Sequence, residues 1–263
     1  MYRKIDFLRG DTLIEVMFAV GIFGIVAVSA ISLMNRGVNT AQTALETTMA
    51  RNEIDAQAEA LRFIHDAYAA EIQSANKEYG DLWGKITGLA LASNDVTSSD
   101  PTAIITYPNF MKYPSEIASC VSEGDSDFSA AYTNGVGIVQ GKSFIVNTHA
   151  LDASSSGLAS TSNILFRFNQ DDHNSASEKL LSATTYPRLI FNESANLGDN
   201  NYSTALSAAE GIWVTAVKSA AESTSNPGQP QYYDFYIRTC WNSPGQSSPT
   251  TISTTIRLYN PDA

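Results

Sequence analysis

Apolar residues run almost without a break from Leu13 to Met34 and then thin into a stripe. Only Glu15, Ser29 and Ser32 interrupt the run, and no proline does. As a helix it is about 33 Å long, enough to cross a bilayer core. Beyond it, Val38, Ala41, Leu45, Ile54, Ala58, Leu61, Ile64, Tyr68, Ile72 and Ala75 recur at spacings of three and four. That period marks one buried face of a helix. Glu46, Arg51, Glu53, Asp55, Glu59 and Arg62 are expected on its other faces. With no proline before Pro101, the pattern predicts one helix from about Thr12 to Asn76, roughly 95 Å long. Its first part is apolar all round and its second part amphipathic. A coiled-coil stalk is the competing reading, but the stripe lacks sustained heptads.

A short second helix is expected around Tyr79–Ala92, although Gly80, Gly84 and Gly88 weaken it. From about residue 103 the period changes to two, which predicts strands. The candidates are Ala103–Tyr107, Gly137–Gln140, Ser143–Thr148, Asn163–Phe168, Arg188–Phe191, Gly211–Lys218, Tyr232–Trp241 and Thr251–Tyr259. The alternation of Tyr233, Phe235 and Ile237, and of Ile252, Thr254, Ile256 and Leu258, predicts an antiparallel sheet with one covered face. The amphipathic half of the long helix is the expected cover. Long polar loops join the strands, among them "NQDDHNSASE" and "NSPGQSSP", and no internal repeat is visible.

The formal net charge is −11 over 263 residues. An acidic balance argues against nucleic-acid binding, which needs a basic footprint. The basic residues Arg3, Lys4 and Arg9 precede the apolar run, which orients the N-terminus inside and the body outside. An ordinary signal peptide is cut after its apolar run. Here the segment after Met34 continues as a helix, so the candidate cut lies before the run, at Gly10. Asp11 would then be the new terminus, with Glu15 four residues on. A lone carboxylate facing lipid is costly. In an array of such helices, Glu15 of one chain could pair with the terminal amine of its neighbour, offsetting the burial of either charge.

"GDTLIEV" at Gly10–Val16 resembles the type III leader motif of type IV prepilins and type II secretion pseudopilins. Gly10 matches the residue before the cut, and Thr12, Leu13, Ile14 and Glu15 match the mature start. Asp11 departs from the usual hydrophobic or aromatic residue, which puts methylation of the new terminus in doubt. The resemblance covers about the first 65 residues. It implies a pilin-like α+β fold: a long N-terminal helix, transmembrane half then amphipathic half, packed on a C-terminal antiparallel β-sheet domain. The implied organisation is a leader over 1–10, an assembly helix over 11–36, an amphipathic continuation over 37–78 and a β-rich head over 79–263. It also implies a prepilin peptidase, other pilin subunits, an assembly platform protein and an ATPase as partners, and an inner-membrane precursor that becomes an extracellular filament. Size and loop content favour a minor pilin. A secretion or DNA-uptake pseudopilin is the sibling alternative, and a monomeric membrane-anchored adhesin is the alternative from another class.

Candidate chemistry is sparse. If the body is extracytoplasmic, Cys120 and Cys240 are an even pair that favours a disulfide, worth about 5 kcal/mol in the chain-entropy model. Two unrelated buried thiols are the alternative. Many pilins carry a disulfide, though usually closing a smaller loop. His65, on the long helix, is expected at its solvent edge; His149 is expected to end a strand, and His173 lies in an acidic loop. No phosphate loop, dinucleotide fingerprint, nucleophile elbow or zinc-protease motif is found, so no catalytic residue and no cofactor is expected. Asn169, Asp171, Asp172, Asn174 and Glu178 offer oxygen ligands for calcium, but without the EF-hand order. The "RGD" at Arg9–Asp11 spans the expected cut and is set aside. Tyr232, Tyr233, Phe235, Tyr236 and Trp241 would form either an adhesive surface or, taken alternately, core and edge cover.

Overall fold

The computed structural model describes residues 11–73, 78–92, 142–152, 164–168, 179–181, 186–193, 204–219, 231–246 and 248–261. It is α+β, with a long N-terminal helix and a C-terminal, mainly antiparallel sheet. The chain divides into two compact units, Met1–Leu45 and Glu46–Ala263. The expected strands Ala103–Tyr107 and Gly137–Gln140 lie outside the described residues.

Helix α1 spans Asp11–Glu71. In the second unit it buries Glu46, Ala50, Ile54, Gln57, Ala58, Leu61 and Ile64. Ile54, Ala58, Leu61 and Ile64 lie where the expected stripe has them, and the correction falls toward its two ends. Glu46 is buried at 3% exposure, whereas Leu45, Val38 and Ile72 are exposed. The reason is geometric: 46, 50, 54, 57, 61 and 64 step by four or three and stay on one line, while 45 lies a residue, about 100°, off it.

Glu71 closes α1 and opens the next helix. Its Oε2 accepts the backbone N–H groups of Tyr79 (2.8 Å) and Gly80 (3.2 Å) in the first turn of α2, Glu78–Gly88. A carboxylate there satisfies orphan donors and complements the helix dipole. Helix α2 ends at Gly88, earlier than the expected Ala92, because Leu91–Ala92 leaves as strand β1. It buries Leu82, Trp83 and Ile86. The Trp83 ring meets Tyr68 of α1 at 6.2 Å, stacked, and Tyr233 and Phe235 of the sheet at 5.9 Å each. One side chain thereby joins both helices to the sheet.

Among the described residues the main sheet has six strands. Its order is β3 (Leu165–Arg167), β2 (Phe144–Val146), β7 (Ile212–Lys218), β8 (Tyr232–Trp241) and β9 (Thr250–Tyr259), with β1 also paired to β7. Its pairs are antiparallel except β1 with β7. Cross-strand neighbours Val214, Ile237 and Thr254, then Ala216, Phe235 and Ile256, share a face. The apolar members of these rows join Ile54, Leu61, Ile64, Leu82, Trp83 and Ile86 in one core. The expected cover is therefore correct, and α2 adds to it.

A three-stranded sheet has the order β4 (Lys179–Leu181), β6 (Thr204–Glu210), β5 (Arg188–Glu193). Strands β6 and β7 are separated by one residue, Gly211, at φ 58°. That left-handed backbone suits glycine and lets the chain pass from one sheet to the other. After β8, Pro244 and Gly245 (φ 78°) turn the chain, with the Gln246 N–H bonded to the Ser243 carbonyl at 3.2 Å. Proline followed by a positive-φ glycine is type II turn chemistry. Ser143–Thr148 is not strand to its end: Thr148 begins a short helix, α3 (Thr148–Asp152), which carries His149. His149 therefore does not end a strand; its ring packs on Phe191 at 4.4 Å.

Replacing Trp83 by Ala should lower unfolding stability by about 3–5 kcal/mol, measured by urea titration. Gly84 is exposed, and a Cβ built there meets nothing within 4 Å. Gly84→Ala should therefore stabilise the fold by about 0.5–1 kcal/mol through helix propensity.

Candidate functional site

The residues expected to act lie at the start of α1. Gly10 is outside the described residues. Asp11 and Thr12 begin the helix, followed by Leu13, Ile14 and Glu15, all three exposed. The large apolar side chains from Leu13 to Met34 are between 58 and 73% exposed, and they occupy every face of the helix. This segment is long and apolar enough to cross a membrane. Ser29 is no obstacle to burial, because its hydroxyl donates to the Ile25 carbonyl at 2.7 Å within the helix. Glu15 is thus a single carboxylate on a surface otherwise suited to lipid or to other helices.

The second half of α1 makes polar contacts that sequence reasoning missed. Glu46 Oε2 accepts the Trp241 indole N–H at 3.1 Å and the Ser243 hydroxyl. Gln57, fully buried, donates Nε2–H to the Val146 carbonyl (2.8 Å) and accepts the Val146 N–H on Oε1 (2.9 Å). The amide copies what a neighbouring strand would supply. On either side of β2, Ser143 and Asn147 bond through their backbones to Phe168 and Ile164, which flank β3. Val146 points its own the other way, and only Phe144 pairs with β7. Gln57 fills that place. His65 is half-buried at the edge of the helix's covered face, as expected: Nε2–H donates to the Tyr259 carbonyl at 2.8 Å, and Nδ1 lies 2.9 Å from Asp66 Oδ1. The signal for Glu46 and Gln57 was their spacing, in phase with Ala50, Ile54 and Leu61.

The aromatic cluster of β8 divides by strand alternation. Tyr233, Phe235 and Trp241 are buried. Tyr232 and Tyr236 lie on the opposite face under guanidinium groups, Arg257 at 3.9 Å from the Tyr232 centroid and Arg238 at 5.6 Å from that of Tyr236. Burial lowers Arg238 to about 10, with Tyr236 acting against it. Arg257 is paired through two bonds with Asp234, at 2.7 and 2.8 Å.

Cys240 is buried on β8, while Cys120 lies outside the described residues. So do His173 and the acidic loop of Asn169, Asp171, Asp172, Asn174 and Glu178. Among the described residues, no group of three or more His, Cys, Asp or Glu side chains is arranged to hold a metal.

Burial raises the Glu53 carboxyl above its ordinary value, and the nearby His149 charge opposes this. A carboxyl raised in the fold stabilises it most at low pH, and that contribution fades as pH rises through the folded value. Glu53→Gln should therefore flatten the loss of stability between about pH 4.5 and neutrality, as read by urea midpoints across that range.

Compared with family models, with curated proteins and with solved structures, the chain has no significant match.

Proposed function

We propose that this chain is a structural subunit of a type IV pilus-like filament, in the class of minor pilins. The observation that carries the reading is α1 itself. One unbroken helix is apolar on every face from Leu13 to Met34, holds a lone carboxylate at Glu15, and then seats a striped half on an α+β body. The Gly10–Val16 motif supplies the rest: a leader cut after Gly10 by a prepilin peptidase, and assembly through Thr12, Leu13, Ile14 and Glu15. In this reading the precursor is a single-pass membrane protein with its body outside. The platform protein and ATPase then move it into a fibre whose core is packed apolar helices. Helix packing supplies the cohesion, and the pairing of Glu15 with a neighbour's terminal amine supplies the axial register. A pseudopilin of a secretion or DNA-uptake machine fits the same features.

The body outside the cytoplasm also makes a Cys120–Cys240 disulfide part of the proposal. Cys240 is buried on β8, so a bond would tie that strand to the segment containing Cys120.

Glu15→Ala should leave the protein in the membrane but reduce its recovery in sheared surface filaments at least tenfold. Normal incorporation of that variant would favour the monomeric membrane-anchored adhesin, which has no use for the charge. Peptide mapping without reductant should find Cys120 joined to Cys240; alkylation of both thiols in native protein would contradict the bond.

A further inference from the structure

We propose that three polar side chains of α1, Glu46, Gln57 and His65, key the helix to the sheet at one axial position. Each holds a different strand. Glu46 takes Trp241 and Ser243 at the end of β8, Gln57 takes both backbone groups of Val146 on β2, and His65 takes the Tyr259 carbonyl at the end of β9. Glu46 and Gln57 are eleven residues apart, three helical turns, so both stand on the core line. Together the three sites span about 28 Å of helix.

A slide of seven residues brings Leu61 to the place of Ile54, an aliphatic swap of similar volume that cores tolerate, although it also sets the larger Tyr68 in the place of Leu61. The polar groups do not tolerate the slide. It would strip Val146 N–H and C=O, the Trp241 indole N–H and the Glu46 carboxylate of their partners at once, all of them buried. Buried polar residues fix register in packed helices at some expense of stability, which is the role assigned here.

The consequence for function rests on the filament reading. A subunit drawn out of a membrane and held in a fibre by Leu13–Met34 is loaded along α1, and a keyed helix passes that load to the sheet without slipping. The keying itself is a property of the single chain and is measured on it.

The test is a pulsed electron–electron distance measurement on the full chain in detergent. Nitroxides are carried on bio-orthogonal side chains at two exposed positions, Ala69 on α1 and Thr255 on β9. The unsubstituted core should give one narrow distance. Glu46→Gln, which can still accept from Trp241 and Ser243, should keep it. The pair Glu46→Leu with Gln57→Leu should keep its helical circular dichroism but gain a second distance population, displaced by about 5 Å or more, one helical turn. Should the pair fail to fold, Gln57→Met alone is read the same way and should broaden or split the distance. One unshifted distance in every folded variant would overturn the proposal. That result would leave the filament reading standing, and failure of the filament reading would leave the distance result unchanged.

Discussion

The change of surroundings along a single helix governs this molecule. From Leu13 to Met34 the side chains of α1 are apolar on all faces and exposed; from Glu46 onward the same helix is buried along one line. An apolar cylinder of that length is stable only in lipid or against other helices. The striped half has the opposite requirement, because its one buried line needs a sheet. The body is built to meet that need: Phe144, Val214, Phe235, Ile237 and Ile256 share a core with Ile54, Leu61 and Ile64. The fold thus fixes one half of α1, while the other half is long and apolar enough to cross a membrane.

Polar groups in the core refine this arrangement. Glu46 and Gln57 are buried, yet each meets a partner suited to it, an indole N–H and hydroxyl in one case and a strand's peptide group in the other. Ser143 and Thr215, also buried, join β2 to β7 through their hydroxyls at 2.9 Å. Unpaired, each of these groups would carry a desolvation penalty of about 1–3 kcal/mol. Paired, they add little net stability but make alternative packings of the same apolar surfaces unfavourable. The aromatic bridge through Trp83 does the complementary work, joining α1, α2 and β8 by shape and area.

Much of this was legible from periodicity. The long helix, the strand Tyr232–Trp241 and most of Thr250–Tyr259 follow from spacings of three to four and of two. The division of the β8 aromatics into buried and half-exposed sets also follows from alternation. Other features were not legible. Strand β6, "TALSAAE", is small and polar enough to pass for a loop, because its place depends on pairing with β5 and β4 rather than on its own pattern. Leu45 fits the stripe by hydrophobicity but not by spacing, and Glu46 beside it is carried inside by Trp241 and Ser243, residues almost two hundred positions away. His149 turned out helical because the chain breaks from β2 at Asn147, whose side-chain carbonyl caps the Ala150 N–H at 3.3 Å.

The proposed processing is the point on which the functional account stands. The exposed apolar helix reads as an assembly element only if the basic leader is removed and the helix kept. Mass spectrometry of the N-terminal peptide, from whole cells and from sheared surface material, tests this most directly. The account predicts a terminus at Asp11 in the sheared fraction, and the same peptide's mass reports whether its amine is methylated. An intact Met1, or a terminus beyond Met34, would contradict it and return α1 to the role of a signal-anchor or a discarded signal.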